Sequence, residues 1–141
     1  MVAVLKTDGG GKNNERVVSS AALFVYEDSE DLDLHSDSNL VGTISVAFKG
    51  TTNDAEMRGF IVGLSLLDVY GSSTIKTVYL FSDSQLCVNL ITGLWRCHAE
   101  NLKPLLKKVK GMLKHFDENR EIFVQWISRD LNEVADHVGR I

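Results

Sequence analysis

Four acidic residues stand at positions in the sequence where a carboxylate could take part in chemistry. Asp8 ends an apolar run that begins at Val2, and Asp83 follows a second run of this kind. Glu56 lies near the start of a helical pattern, and Asp136 lies shortly after the last strand pattern. A carboxylate at the end of a buried strand emerges where the sheet meets solvent. The four acids could therefore gather at one edge of a sheet.

A cluster of four carboxylates would predict a particular kind of metal site. Carboxylates held close together repel one another and take up protons unless a cation compensates their charge. Mg²⁺ and Mn²⁺ prefer oxygen ligands and keep open positions for water and phosphate. Two such ions about 4 Å apart can hold the attacking water and the leaving oxygen of a phosphodiester. If they converge, the acids indicate metal-dependent cleavage of a phosphodiester.

Each acid also has an ordinary structural interpretation. Asp8 precedes three glycines, which predict a sharp turn directly after the first strand and would let a bulky ligand approach. The pattern Asn53-x-x-Glu56 is typical of a capping box at a helix start. Asp83 could cap the helix that follows it, and Asp136 could be a surface acid. Taken singly these interpretations are favoured, but they give no reason for the acids to share one edge.

The pattern of apolar residues predicts an α/β fold with one mixed, five-stranded sheet flanked by helices. Strands are predicted at residues 2–8, 17–26, 41–48, 75–81 and 122–127. Short or polar links join the first three strands, which indicates an antiparallel meander. The later strands connect through helices and should be parallel neighbours of the first. Asp130 is predicted to open the last, short helix.

Composition excludes several classes of protein. The length of 141 residues predicts a single domain over residues 1–141. No apolar run approaches the roughly 18 residues of a membrane span, and the start lacks a signal-peptide pattern. Two cysteines predict no disulfide framework, and we expect a cytoplasmic protein without a membrane partner. The net charge of −4 would become +2 without the six acids of residues 27–37, so it does not exclude a nucleic-acid partner.

Four short motifs follow one another along the chain. They are Thr7-Asp8-Gly9-Gly10, Thr51-x-Asn53-x-x-Glu56, Ser82-Asp83-Ser84-Gln85 and Ile127-Ser128-Arg129-x-x-Asn132-x-x-Ala135-Asp136. Together they resemble the motifs of ribonuclease H of type 1, and the last resembles the archaeal and plant-like branch of that family. The resemblance covers nearly the whole chain. It implies an RNase H-like fold with strand order 3-2-1-4-5.

The resemblance also implies the residues of a site. Asp8, Glu56, Asp83 and Asp136 would bind two Mg²⁺ or Mn²⁺ ions. Thr51 resembles a phosphate-contacting threonine, and Trp95 resembles an aromatic residue in the channel for the DNA strand. Asn14, Asn53 and Gln85 resemble residues that touch sugars and the minor groove of a hybrid, including the 2′-hydroxyl that distinguishes RNA from DNA. The full set of expected substrate contacts is Gly9, Gly10, Asn14, Thr51, Asn53, Ser84, Gln85, Trp95, Arg129 and Asn132.

The sequence departs from the family pattern at two places. Many bacterial members carry a histidine in the loop before the last acid, whereas this chain has Arg129, as the archaeal-like branch does. Arginine cannot act as a base near neutral pH. It could hold a phosphate, assist product release, or simply pair with Asp130. The short segment 93–98 leaves no room for an extra basic helix, and five lysines in residues 103–114 either substitute for it or form a solvated face.

The resemblance implies an endonuclease that hydrolyses the RNA strand of an RNA–DNA hybrid. Two metal ions would activate water and stabilise the leaving 3′-oxygen, so the products would carry 5′-phosphate and 3′-hydroxyl ends. We expect the enzyme to act as a monomer. Two alternatives remain open: a DNA-directed nuclease of the same fold, and a non-catalytic nucleic-acid-binding module.

Overall fold

A mixed five-stranded sheet forms the centre of the described structure, a computed structural model that describes residues 1–71 and 73–140. The strands are β1 (Val2–Gly11), β2 (Glu15–Tyr26), β3 (Leu40–Gly50), β4 (Thr77–Ser82) and β5 (Glu121–Trp126). Their order is β3-β2-β1-β4-β5. β1, β2 and β3 pair antiparallel, and β4 pairs parallel with both β1 and β5. The predicted fold class and strand order are confirmed.

Helices pack against both faces of the sheet. They are α1 (Thr52–Tyr70), α2 (Gln85–Ile91), α3 (Lys103–Asp117) and, on the opposite face, α4 (Glu133–Arg140). The larger core joins α1, α2 and α3 to the sheet through residues such as Phe60, Leu64 and Val109, all fully buried. Pro104 occupies the first turn of α3, as predicted.

The acidic segment 27–39 covers part of the second face of the sheet. Leu32 and Leu34 pack against a smaller core there, while its acids face solvent. The Lys6 Nζ donates to the Leu34 carbonyl at 2.7 Å and lies 4.9 Å from the centre of the Phe24 ring. Burial lowers the pKa of Lys6, although Asp37 and Asp33 oppose that shift. One buried lysine thus fixes this polar segment to the sheet.

The end of β1 differs from the prediction. The three glycines do not turn the chain after Asp8, because they continue to pair with β2 as far as Gly11 opposite Val17. The turn follows at Lys12–Asn14, where Asn14 has a φ of 62°. The parallel pairing of β1 with β4 stops earlier, at Thr7 opposite Ser82. Asp8 therefore lies within β1 but beyond the last pair that β1 forms with β4.

The chain after β5 also differs in detail. Arg129–Asn132 forms a 3₁₀ turn, and the α-helix begins only at Glu133. The prediction that Asp130 opens the last helix is therefore wrong by three residues. In the part of the chain that the structure describes, no helix has the length and apolar character required to cross a membrane.

Candidate active site

Parallel pairing of β1 and β4 brings two of the predicted acids to one edge of the sheet. Asp8 extends one residue past the last β1–β4 pair, and Asp83 directly follows β4. The N-terminal part of α1, just after its first turn, carries Glu56 toward this edge, and α4 carries Asp136 from the other face. All four carboxylates are partly buried. The sheet and the two helices thus place the acids side by side.

Close contact between α1 and β1 depends on glycine. A Cβ atom on Gly9 would lie 2.2 Å from backbone atoms of Ala55 and Glu56. A Cβ atom on Gly59 would lie 3.0 Å from the Asp8 carbonyl oxygen. Gly10, by contrast, has open space around the position of a Cβ. The lack of a side chain at Gly9 serves the packing of α1, whereas Gly10 is open to a ligand.

The helix caps leave Glu56 and Asp83 free for another role. Thr51 and Asp54 form the capping box of α1: the Thr51 Oγ1 accepts from the Asp54 N–H, and the Asp54 carboxylate accepts from the Thr51 N–H. The capping box predicted from Asn53 and Glu56 is therefore wrong. Ser84, not Asp83, caps α2 by accepting from the Cys87 N–H at 3.2 Å.

The electrostatics link the four acids as a chain of neighbours. The pKa of Asp8 rises from 3.8 to about 8, first because of burial, then because of the charge on Asp83 and a hydrogen bond with Asp136. Burial and the charge of Asp83 also raise the pKa of Glu56, against a hydrogen bond from Ser84 and the charge of Arg129. Asp8 thus interacts with Asp83 and Asp136, and Asp83 interacts with Glu56.

The donor chemistry of these acids fits a hard divalent cation. They provide oxygen ligands only, and their mutual repulsion is the condition that a cation relieves. Within residues 1–71 and 73–140, however, no three Asp, Glu, His or Cys side chains are already arranged as a metal-coordinating group. The acids therefore stand as interacting pairs in this structure.

Arginines border the acids on their solvent side. The Arg129 Nε lies 3.7 Å from Asp83 Oδ2, and the Arg140 Nη2 lies 3.0 Å from Asp136 Oδ2. Both side chains are mostly exposed, at 84% and 74%. A cavity of about 370 Å³ beside Asp8 and Asp136 is lined by these arginines, by Arg16 and by the three glycines. Carboxylates next to guanidinium groups in a concave site suit a metal-bound phosphate.

The residues expected to contact substrate separate into two groups. Asn14, Asn53, Gln85 and Trp95 have exposed side chains, and Trp95 is 48% exposed in the loop after α2. Thr51 is partly exposed while it caps α1. These positions can reach a ligand, so the predicted contacts stay open for them, as they do for Gly10 and Arg129.

Ser84 and Asn132 are directed into the protein instead. Ser84 is 7% exposed and hydrogen-bonds to Glu56 besides capping α2. Asn132 is completely buried, and its Nδ2 donates to the Thr7 carbonyl at 2.8 Å. The predicted side-chain contact with substrate does not fit a buried Asn132. Both residues support the acids from beneath.

Three residues at this edge were not predicted from the sequence. Trp126 is 47% exposed, and its indole N–H donates to the Asp83 carbonyl at 3.1 Å. An aromatic residue at the end of the last strand was the available signal, because that end lies opposite Ser82. Arg140 follows Asp136 by four residues, the helical spacing of an ion pair. Arg16 has no comparable local signal.

The sheet order and the acid-bearing edge together define an RNase H-like protein. A family model described as "Reverse transcriptase-like" matches residues 7–140, and the chain belongs to this family. The resemblance to ribonuclease H of type 1 is thereby confirmed at the level of the fold. A comparison with curated proteins finds no match.

Solved structures of ribonucleases H share this fold along nearly the whole chain. The N-terminal RNase H domain of a Mycobacterium tuberculosis protein has a TM-score of 0.80 at 23% identity and covers 99% of this chain and 91% of that one. RNase H1 of Halobacterium salinarum has a TM-score of 0.75 at 20% identity and covers 99% and 96%. LC11-RNase H1, solved with an RNA/DNA hybrid, has a TM-score of 0.79 at 20% identity and covers 98% and 94%.

Proposed function

We propose that this protein hydrolyses the RNA strand of RNA–DNA hybrids with the help of two divalent ions, Mg²⁺ or Mn²⁺. The observation that carries the proposal is the chain of interacting carboxylates at the sheet edge, beside an arginine-lined cavity. Membership in the reverse-transcriptase-like family and the fold shared with ribonucleases H support it. So does the hybrid bound to LC11-RNase H1, a structure of the same fold.

The four acids, Asp8, Glu56, Asp83 and Asp136, would hold the ions. When bound, these would lower the pKa of the attacking water and neutralise charge on the leaving 3′-oxygen. Asp8 would release its proton on binding, because a cation favours the carboxylate over the protonated form that burial favours. The expected products carry 5′-phosphate and 3′-hydroxyl ends.

Other side chains would orient the substrate. Arg129 cannot accept a proton, but its exposed guanidinium can hold a phosphate oxygen next to Asp83. The exposed amides of Asn14, Asn53 and Gln85 can donate to sugar and base-edge acceptors in the minor groove. A preference for RNA would follow from hydrogen bonds to the 2′-hydroxyl.

Matched duplexes test the proposal directly. Labelled RNA–DNA, RNA–RNA and DNA–DNA duplexes of one sequence are incubated with Mg²⁺ or Mn²⁺, and the product ends are mapped. We expect cleavage of the RNA strand of the hybrid only. Cleavage of the DNA duplex would indicate a DNA-directed nuclease, and binding without cleavage would indicate a non-catalytic module.

Charge-neutralising variants test the metal ligands. Asp83→Asn should abolish Mg²⁺-dependent cleavage while the circular dichroism spectrum stays that of the wild type, because the side chain keeps its size but loses its charge. Asp68→Asn is the matched control, since Asp68 is exposed near the end of α1. Full activity of Asp83→Asn would refute the assignment of this acid.

A further inference from the structure

Buried polar side chains are concentrated beneath the four acids. Among the described residues, those with little or no exposed surface are Lys6, Thr7, Ser19, Ser20, Ser82, Ser84 and Asn132. A polar group in a core is costly unless it is hydrogen-bonded, so such groups are kept for a reason. Most of these residues lie within one or two positions of one of the four acids. The others hydrogen-bond to the backbone of the residue that directly precedes such an acid.

Ser19 and Ser20 form the most informative pair. They are adjacent in β2, so their side chains point to opposite faces of the sheet. The Ser19 Oγ donates to the Ala55 carbonyl at 2.7 Å, in α1. The Ser20 Oγ donates to the Ala135 carbonyl at 2.6 Å, in α4. One dipeptide therefore binds a helix on each side of the sheet.

The two carbonyls that these serines bind immediately precede acids of the site. Ala55 is followed by Glu56, and Ala135 is followed by Asp136. In the sheet, Ser20 lies directly opposite Asp8, and Ser19 lies opposite Gly9. The serine pair therefore connects the backbones of three of the four acid-bearing segments.

The Ala55 and Ala135 carbonyls do not need the serine hydroxyls as hydrogen-bond donors. A carbonyl inside an α-helix ordinarily accepts from the N–H four residues later, so neither alanine needs a second donor. The packing around both bonds is also close. A Cβ on Gly139 would lie 3.0 Å from the Ser20 Oγ, and a Cβ on Gly9 would overlap the α1 backbone. The bonds fix where each helix rests along β1 and β2.

We propose that Ser19 and Ser20 are positioning residues, which set the places of Glu56 and Asp136 relative to Asp8 and thereby the affinity of the site for divalent ions. This inference rests on the proposed function, since it assumes that the acids hold metal. Groups that hydrogen-bond to metal ligands typically change metal affinity or activity 10- to 100-fold when they are removed, and each serine acts on the backbone one residue before a proposed ligand.

The test compares Ser19→Ala and Ser20→Ala with Tyr26→Phe. Tyr26 lies in the same strand, is 2% exposed, and donates its hydroxyl to the Asp33 carbonyl at 3.2 Å. It pairs with Val2, at the end of β1 away from Asp8 and the other acids of the site. All three variants lose one buried hydroxyl. Binding of Mn²⁺ is followed by titration calorimetry without nucleic acid, and the Mg²⁺ dependence of hybrid cleavage is measured separately.

We expect each serine variant to weaken Mn²⁺ binding at least 10-fold and to raise the Mg²⁺ concentration for half-maximal cleavage by a similar factor. The KM for hybrid at saturating Mg²⁺ should stay within 2-fold. Tyr26→Phe should lower the melting temperature without changing either metal measurement. If an alanine variant does not fold, Ser19→Cys and Ser20→Cys keep a γ atom that is larger than oxygen and a weaker donor, and the same weakening is expected of them.

Three negative results are possible, and they do not all have the same meaning. If the wild type binds Mn²⁺ and the serine variants bind it equally well, the positioning role is refuted while the proposed function stands. If the wild type neither binds Mn²⁺ nor cleaves hybrid, the proposed function itself fails. A change in metal binding by Tyr26→Phe equal to that of the serine variants would also refute the positioning role, because it would show a general effect of lost stability.

Discussion

The charge on Asp8 opposes folding when no cation is present. Its folded pKa of about 8 lies above the unfolded value of 3.8, so the folded protein binds a proton that the unfolded chain has lost. Stability therefore falls as the pH rises from about 4 to 8. Asp8→Asn removes this charge while it keeps an acceptor oxygen.

We predict that Asp8→Asn melts several degrees above the wild type at pH 8 in a metal chelator, and that the difference shrinks at pH 6. Thermal unfolding followed by circular dichroism measures it. Asp68→Asn, which changes an exposed acid, should show no such dependence on pH. Equal melting temperatures of Asp8→Asn and the wild type at pH 8 would contradict the argument from burial.

Trp126 was not predicted from the sequence as a residue of the site, yet its side chain holds the backbone of one of the four acids. Trp126→Phe keeps an aromatic ring but removes the indole N–H that holds the Asp83 carbonyl. We predict a loss of about 1 kcal/mol in the free energy of unfolding, measured by urea denaturation, together with slower cleavage. Trp95→Phe is the control, and it should leave the unfolding free energy nearly unchanged because that residue lies in an exposed loop.

At the scale of elements, the contact of α1 with β1 decides whether Glu56 reaches the site. Gly9→Ala would place a Cβ into the helix backbone, whereas Gly10→Ala would place one in open space. We predict that Gly9→Ala loses activity and roughly 3 kcal/mol or more of stability, and that Gly10→Ala stays within about 1 kcal/mol of the wild type. Urea unfolding of both variants tests this, and similar losses in both would contradict it.

The order of the elements along the chain could be predicted from apolar periodicity, and the connection lengths indicated which strands are antiparallel or parallel. The full strand order in the sheet was implied by the resemblance to ribonuclease H of type 1. The exact ends of the strands and helices could not be predicted. The three glycines of β1 indicate a turn, but pairing with β2 keeps them in the strand. Asn53 and Glu56 match a capping box as well as Thr51 and Asp54 do, and only the three-dimensional structure separates the two.

The candidate site shows the same limit. The four acids could be selected from the sequence because each lies in a short motif that resembles ribonuclease H of type 1, and such a motif is a local property. The burial of Asn132 could not, since it depends on a hydrogen bond to Thr7, 125 residues away. The serine pair of β2 has no chemical signature in the sequence at all. Its importance lies in which backbone atoms the two hydroxyls reach.

At the scale of the whole molecule, the distribution of charge matters more than its sum. Arg129 and Arg140 border the acid edge, whereas His115 and Lys76 line a cavity beside the start of β4, at the opposite edge. The end of α3 that carries Lys114 lies near that second cavity. The structure therefore favours a solvated face for this end of the lysine-rich helix.

We predict that replacing both Arg129 and Arg140 by alanine weakens hybrid binding and reduces the slope of log K against log salt by about one for each lost phosphate contact. Replacing Lys110 and Lys114 by alanine removes the same charge and should leave the slope nearly unchanged. Fluorescence anisotropy of labelled hybrid over a salt series, in a chelator, measures both. Equal changes in slope would show that α3 also contacts the duplex.

Because the four acids repel one another, the melting temperature of the protein reports how fully divalent ions occupy the site. A ligand that binds only the folded chain stabilises it in proportion to the logarithm of one plus the ratio of its concentration to its dissociation constant. The melting temperature should therefore climb with Mg²⁺ or Mn²⁺ by more than salt screening explains. A series of melting curves would then rank ions by affinity with no substrate in the tube, and Asp83→Asn should flatten that series.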